Sequence, residues 1–223
     1  MSLDLLDHLV RPAAGEPEGA LVLLHGRGTS ERDLFPLLDV FDPDRRLVGV
    51  TPGGPLALPP GGRHWYAIRR VGAPPPETFL PTYERLTRWF DALPEAIGVP
   101  ADRTVVGGFS QGAVMSYAVG LGAGRPAPAG ILAMSGFMPT VEGFELDTGD
   151  RKGFRVAMAH GERDDIIGVE WGRDARDRLS AAGADVLYRE SAMPHTIDPR
   201  VIPDLSQWVR ATIDRAPNTP SGA

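Results

Sequence analysis

The segment Thr104-Val105-Val106-Gly107-Gly108-Phe109-Ser110-Gln111-Gly112-Ala113-Val114-Met115 decides which fold this chain can adopt. Its first half is a short apolar run of the kind found in buried β-strands, and its second half is typical of a helix. Ser110 lies between the two halves, with one glycine two positions before it and another two positions after it. This spacing indicates a sharp turn from strand to helix, because a Cβ at either glycine would collide with the opposite arm of the turn.

Strand-like and helical patterns alternate along the rest of the chain. We predict strands at Ala20–His25, Arg46–Thr51, Arg103–Phe109, Ile131–Ser135, Arg155–His160 and Asp185–Glu190. We predict helices at Thr29–Phe41, Thr82–Ile97, Ser110–Gly122 and Val169–Ala182, and a last helix over the apolar stripe of residues 201–213. Most strand runs are continuously apolar, which is typical of strands covered on both faces. The pattern therefore predicts an α/β fold with a mostly parallel central sheet and helices on both sides.

Length and charge narrow the classes of protein that remain. The 223 residues fit one α/β domain, which we expect over residues 1–215, with residues 216–223 as a disordered tail. The net charge of −6 disfavours nucleic acid as a partner. No apolar run is long enough for stable membrane insertion, and the N-terminus lacks the basic residues of a signal peptide, so we expect a cytoplasmic protein.

Cysteine is absent from the sequence. A thiolate nucleophile, a Cys-ligated zinc ion and an iron–sulfur cluster are therefore excluded. Ser110 remains the candidate nucleophile, because a serine in a tight strand-to-helix turn presents its Oγ above the sheet edge. The helix that follows directs N–H groups and the positive end of its dipole toward negative charge that develops there.

An acid and a histidine follow Ser110 in the order that such a nucleophile requires. Asp164 and Asp165 come after one predicted strand, and His195 comes after the last predicted strand. In a parallel sheet these positions meet at the carboxyl edge. The other histidines fit less well, because they precede the serine, lie in the irregular segment 52–81 or end a strand: His8, His25, His64 and His160.

Together these motifs resemble the phospholipase/carboxylesterase family of α/β-hydrolases, which includes the acyl-protein thioesterases. The resemblance covers about residues 18–213 and rests on Leu24-His25-Gly26-x-Gly28, Gly107-Gly108-Phe109-Ser110-Gln111-Gly112, Ser135-Gly136-Phe137, His160-Gly161-x-x-Asp164 and Pro194-His195-Thr196-Ile197. It implies an α/β-hydrolase fold without a large lid, no cofactor and no metal. It also implies Ser110 as nucleophile, His195 as base and Asp164 as the orienting acid, with Asp165 as the alternative acid.

The resemblance further implies that the backbone amides of Arg27 and Gln111 form an oxyanion hole. Aromatic and apolar residues near the nucleophile are predicted to contact substrate: Trp65, Tyr66, Phe137 and Met138. We expect a small-molecule ester substrate with a short- to medium-chain acyl group, and thioesters and lysophospholipids stay open. The alternatives are a non-catalytic ligand-binding scaffold of the same fold and a different serine hydrolase, a peptidase or polyester depolymerase. A homodimer is also left open.

Overall fold

The computed structural model describes residues 3–216 and contains a central sheet flanked by helices. Its strands are β1 (His8–Arg11), β2 (Gly19–Leu24), β3 (Leu47–Pro52), β4 (Leu56–Leu58), β5 (Gly62–His64), β6 (Thr104–Phe109), β7 (Gly130–Met134), β8 (Arg155–Gly161) and β9 (Asp185–Ser191). Its helices are α1 (Leu37–Phe41), α2 (Pro76–Ile97), α3 (Gln111–Leu121), α4 (Val169–Ala181) and α5 (Ile202–Arg215).

The central sheet has seven strands in the order β1-β3-β2-β6-β7-β8-β9. Strand β1 is antiparallel to β3, and all other neighbouring pairs in this sheet are parallel. Strands β2 and β6 lie side by side with Leu24 opposite Gly108, so the ends of both strands meet beside Ser110. The prediction of a mostly parallel sheet is confirmed, and its carboxyl edge is where this topology places ligands.

Helices cover both faces of the sheet, as predicted. On one face the core includes Trp89 of α2, Tyr117 of α3 and Leu179 of α4. On the other face Leu38 of α1 and Trp208 of α5 pack against the strands. Every residue of α3 is buried, because this helix lies between the sheet and α2. Burial of α3 holds the helix that follows Ser110 firmly in place.

Two predicted helices have different bounds in the structure. The helix predicted at Thr29–Phe41 is only the short α1, because Pro36 disfavours helical conformation in the residue before it and Thr29 instead pairs with Arg63. Helix α2 starts at Pro76 rather than at Thr82. Proline suits the first helical position, which needs no N–H acceptor, and fully buried Phe79 anchors this added turn despite Pro81.

The segment 52–81 is more ordered than its composition suggests. Strands β4 and β5 form a separate antiparallel hairpin within it, and α2 begins at its end. Strand β1 was not predicted: it is a short edge strand whose buried Arg11 pairs with Asp42 across 2.5 Å. None of the helices between residues 3 and 216 has the length and apolar character to cross a membrane. Of the predicted tail, Ala216 still bonds to α5, and residues 217–223 lie outside the described residues.

Candidate active site

Ser110 occupies the turn between β6 and α3 in a conformation that side chains rarely adopt. Its φ of 56° and ψ of −120° lie outside the regions favoured by residues with a Cβ. Its backbone N–H donates to the Met134 carbonyl across 2.9 Å, which ties the turn to the neighbouring strand β7. The surrounding structure therefore holds a strained backbone in place at the candidate nucleophile, as functional sites often do.

The two glycines around Ser110 allow the backbones on either side to approach each other. A Cβ on Gly112 would overlap the carbonyl oxygen of Leu24, and a Cβ on Gly108 would lie 2.5 Å from the Gly112 carbonyl carbon. Backbone atoms of a packed sheet cannot move aside cheaply. The Gly-x-Ser-x-Gly spacing is thus required by steric contact between β2, β6 and α3.

We expect Gly112→Ala to lower the free energy of unfolding by about 4 kcal/mol or more, or to prevent folding, because the new methyl group has no space. Urea unfolding followed by circular dichroism measures this change. Gly15→Ala is the matched control, since a Cβ at Gly15 meets nothing within 4 Å. Equal stability of the two variants would contradict the steric account of the turn.

His195 links Ser110 to an aspartate through its two ring nitrogens. Nε2 lies 2.9 Å from Ser110 Oγ, and Nδ1 lies 2.6 Å from Asp164 Oδ2. Both distances are hydrogen bonds, and the tautomer with its proton on Nδ1 satisfies both when the serine hydroxyl donates to Nε2. The three residues that the sequence analysis selected from distant segments are therefore brought into one hydrogen-bonded chain.

The Asp164 carboxylate is fully buried, and both of its oxygen atoms have hydrogen-bond partners. Its Oδ1 accepts from the backbone N–H groups of Ile166 (2.9 Å) and Ile167 (2.8 Å), while Oδ2 faces His195. Asp165 is exposed, so Asp164 is the aspartate that contacts the histidine. Buried His160 supports this loop through a 2.7 Å hydrogen bond from Nε2 to the Ile167 carbonyl. This supporting contact was not predicted from the sequence.

The loops that carry Asp164 and His195 are joined directly by backbone hydrogen bonds. Arg163 N–H donates to the Met193 carbonyl across 3.0 Å, and Glu162 N–H donates to the Ser191 carbonyl across 2.7 Å. The ring of Phe109 packs against the His195 imidazole with centroids 4.8 Å apart. The histidine is therefore positioned from the residue next to the nucleophile and from the acid loop.

Of the two predicted oxyanion-hole residues, Gln111 directly follows Ser110 in the chain, and Arg27 lies in a loop that comes close to Ser110 in space. Gln111 is the first residue of α3, where a backbone N–H has no carbonyl partner within the helix. Arg27 follows β2 between two glycines, and a Cβ on Gly26 would lie 3.6 Å from Ser110 Cβ. The backbone next to Arg27 thus comes close to the Ser110 side chain.

His25 anchors the loop that carries Arg27. Its Nε2 accepts a 2.8 Å hydrogen bond from Gly54 N–H, and its Nδ1 lies 2.6 Å from the Gly26 carbonyl. Burial lowers the pKa of His25 below its ordinary value of 6.5, and the Gly26 carbonyl opposes that shift only in part. The neutral ring is the form that this site needs, because a protonated Nε2 could not accept from Gly54.

His25 makes folding stability depend on pH. A histidine whose pKa is lower in the folded state binds fewer protons there than in the unfolded state, so the free energy of unfolding falls as pH drops below about 6.5. One such group contributes a slope of at most about 1.4 kcal/mol per pH unit. We expect His25→Gln to reduce the slope between about pH 7 and pH 5. Urea unfolding at several pH values measures it, and an unchanged slope would contradict this assignment.

A cavity of about 40 Å³ opens beside Ser110. Its walls are apolar except at a few positions, and it is lined by Tyr66, Ile68, Arg70, Val71, Ser110, Gln111, Phe137, Ile166 and Ile167. Burial raises the pKa of Tyr66 well above its usual value, so this hydroxyl stays neutral. Of the predicted substrate contacts, Tyr66 and Phe137 are at the cavity wall.

The other two predicted contacts do not line the cavity. Trp65 and Met138 are buried in the core and are not among the residues that line the cavity. The indole N–H of Trp65 donates to the His25 carbonyl across 2.8 Å, so this side chain supports the loop that carries Arg27. The Gln111 side chain holds the backbone of Trp65 and Tyr66. Its Oε1 accepts from the backbone N–H of Trp65 (3.1 Å), and its Nε2 donates to the Tyr66 carbonyl (2.8 Å).

Four lining residues were not foreseen: Arg70, Val71, Ile166 and Ile167. The only sequence signal for them was an Ile-Ile pair directly after Asp164-Asp165, where the chain is otherwise polar. Within residues 3–216, no group of three or more His, Asp or Glu side chains is arranged to hold a metal ion.

Comparison with known proteins assigns the family. The model of the Phospholipase/Carboxylesterase family matches residues 7–213, which is nearly the whole chain. The chain belongs to the phospholipase/carboxylesterase family. This member is an enzyme, a hydrolase of carboxylic esters, and the alternative of a non-catalytic scaffold is set aside.

Relatives of this phospholipase/carboxylesterase family member support the assignment. Acyl-protein thioesterase 1 of Mycosarcoma maydis is 34% identical over 92% of this chain and 96% of its own length. Acyl-protein thioesterase 1 of Yarrowia lipolytica is 28% identical over 91% of this chain and 95% of its own length. The crystal structure of the Bacillus cereus carboxylesterase superposes with a TM-score of 0.80 at 20% identity, covering 93% of this chain and 94% of the other. The fold is therefore the α/β-hydrolase fold.

Proposed function

We propose that this protein is a serine carboxylesterase that hydrolyses short- to medium-chain acyl esters of small molecules through an acyl-serine intermediate. The observation that carries the proposal is the chain of hydrogen bonds from Ser110 Oγ to His195 Nε2 (2.9 Å) and from His195 Nδ1 to Asp164 Oδ2 (2.6 Å). A hydroxyl, a base and a buried acid in this order are the parts that nucleophilic acyl transfer needs.

In the acylation step, Ser110 Oγ attacks the carbonyl carbon of the ester while His195 Nε2 takes the hydroxyl proton. The carbonyl oxygen becomes an oxyanion, which the backbone N–H groups of Arg27 and Gln111 stabilise. Each such donor is worth about 3 kcal/mol in the transition state. His195 then gives its proton to the alkoxide as the bond to the leaving group breaks, which releases the alcohol and leaves the acyl group on Ser110.

In the deacylation step, water takes the place of the alcohol. His195 removes a proton from the water as its oxygen attacks the acyl carbon, and the same two amides hold the second oxyanion. Collapse of this intermediate returns the proton from His195 to Ser110 Oγ and releases the carboxylic acid. Asp164 keeps the proton of the neutral ring on Nδ1 in both steps and stabilises the imidazolium that forms in each.

The cavity beside Ser110 supports a preference for short acyl groups. Its volume of about 40 Å³ leaves room for only a few carbon atoms without movement of the walls. Phe137 and Ile167, which line the cavity, are buried and packed in the core. Acyl chains of two to about six carbons should therefore be hydrolysed faster than longer ones, since each further methylene must displace packed side chains.

Thioester hydrolysis is the second candidate function. It is favoured by the 34% identity to a protein named acyl-protein thioesterase 1, over nearly the whole length of both chains. Ser110, His195 and Asp164 would have the same roles in thioester hydrolysis. A thiolate leaves more readily than an alkoxide because its conjugate acid has the lower pKa.

Two measurements test the proposed function together. The first is kcat/KM for p-nitrophenyl esters from acetate to decanoate, beside thioesters with the same acyl groups. The second is reaction with a fluorophosphonate followed by peptide mass spectrometry, in which we expect a single adduct on Ser110. The proposal fails if no ester in the series is hydrolysed, or if the adduct lies on a different residue.

A further inference from the structure

Arg70 is the one charged residue among those that line the cavity beside Ser110. Its side chain is exposed and has no carboxylate partner in the part of the chain that the structure describes. The preceding residue, Arg69, differs in that it forms an ion pair with Glu77. An unpaired guanidinium at the wall of a small apolar cavity is available to bind the carboxylate of a ligand.

The neighbouring loops carry charges of both signs. The chain as a whole carries a net charge of −6, yet Arg27 and Arg163 also lie in loops beside Ser110 without an ion-pair partner among the described residues. The carboxylates in these loops are Asp164, which is buried against His195, the half-buried Glu31, and the exposed Asp33, Glu162 and Asp165. None of these carboxylates lines the cavity, so its only fixed charge is positive.

Apolar surface lies along the same cavity. Ile68 and Ile166 are two of the large hydrophobic side chains that remain exposed, at 51% and 56%, and both line the cavity with Val71. A substrate that fits these walls has a few methylene groups and ends in an anionic group at Arg70. Since the acyl group stays on Ser110 through both chemical steps, contacts to the acyl part contribute to both.

We propose that Arg70 binds a carboxylate at the far end of the acyl group, so that the preferred substrates are monoesters of short dicarboxylic acids. The proposal rests on the proposed esterase function and adds the substrate class to it. Arg70 acts here as a specificity-determining residue. Its guanidinium can form two parallel hydrogen bonds with a carboxylate, which a neutral ester end cannot accept as strongly.

The test compares charged and neutral substrates of the same length. The charged set is monomethyl succinate, glutarate and adipate, and the neutral set is the corresponding dimethyl esters. Hydrolysis is followed by acid release in a pH-stat at about pH 7.5, where the free carboxylates are ionised. A further pair, phenyl acetate and 4-acetoxybenzoate, places the charge on the leaving group instead of the acyl group.

We expect Arg70→Gln to lower kcat/KM for the best monomethyl ester by about fivefold to twentyfold, chiefly through KM, with less than about twofold change for its dimethyl ester. Raising NaCl from about 0.05 to about 0.5 M should weaken the preference of the wild type but not that of the variant. Arg88→Gln is the matched control, because Arg88 is exposed on α2, has no ion pair within residues 3–216 and does not line the cavity.

The outcomes separate this inference from the proposed function. If the wild type hydrolyses dimethyl esters but Arg70→Gln lowers both classes equally, the inference is wrong and the esterase function stands. An effect confined to 4-acetoxybenzoate would also overturn it, because the charge would then be bound on the leaving-group side. If the wild type hydrolyses p-nitrophenyl acetate but no ester in either set, the inference is wrong and the esterase function stands. If it hydrolyses none of these esters, the proposed function fails and the inference fails with it.

Discussion

Ser110→Ala should lower kcat for ester hydrolysis by about 10⁵- to 10⁶-fold, the size of the loss when the serine of a hydrolase triad is removed. Without Oγ no acyl-enzyme can form, and water must attack the ester directly with help only from the remaining residues. The hydroxyl makes one 2.9 Å hydrogen bond to His195, so its loss should change the free energy of unfolding by about 1 kcal/mol. Steady-state hydrolysis of p-nitrophenyl acetate measures the activity, and urea unfolding measures the stability.

A second serine supplies the control for this change. Ser206 lies in α5 and donates a 2.9 Å hydrogen bond to the Phe41 carbonyl, on the side of the sheet away from α3. Ser206→Ala removes the same hydroxyl and one similar hydrogen bond, and kcat should stay within about twofold of the wild type. A Ser110→Ala enzyme that kept more than about one hundredth of the activity would show that Ser110 is not the nucleophile.

The second large effect is expected from Asp164→Asn, which should lower kcat by about 10⁴-fold, as the equivalent change does in a known triad. The asparagine oxygen can still accept from the Ile166 and Ile167 amides, so the loop keeps its two backbone hydrogen bonds. The amide NH₂ then faces His195 Nδ1 and can only donate to it. This places the ring proton on Nε2, where it blocks proton transfer from Ser110.

Asp165→Asn is the matched control for the acid. It makes the same chemical change one residue away, on an exposed side chain that has no contact with His195. We expect kcat to change by less than about threefold, because an exposed charge at this position is screened by solvent. If Asp165→Asn caused the larger loss in the p-nitrophenyl acetate assay, the acid would be Asp165 and the hydrogen-bond geometry would have a different role.

Much of the fold could be predicted from local sequence patterns. Five of the helices and six of the parallel-sheet strands were anticipated, because apolar runs and helical periodicity are local properties. The errors occurred where distant contacts overrode local preference. Helix α2 begins with Pro76 and continues through Pro81 because Phe79 is buried against the core, and β1 forms because β3 offers it a free edge. The core residues around Phe79 and the strand β3 are both distant in sequence from the segments that they stabilise.

The candidate site also contains residues that the sequence predicts and residues that only the packing of the chain reveals. Ser110 and His195 could be selected from sequence, since motif spacing and chain order restrict where a nucleophile and its base can lie. The four cavity residues near positions 70 and 166 could not. They come from two loops whose lengths and compositions carry no periodic signal, and only the packing of those loops brings them beside Ser110.

By itself the sequence determined the succession of strands and helices along the chain, the turn around Ser110 and the family, because apolar runs, helical periodicity and motif spacing are local properties. Only the tertiary structure showed which of Asp164 and Asp165 contacts His195. The two residues are adjacent in the sequence, but Asp164 is buried beside the histidine and Asp165 is exposed. The tertiary structure also decided which residues line the cavity beside Ser110 and placed Arg70 among them. Those features depend on distances between residues far apart in the chain, which local pattern does not encode.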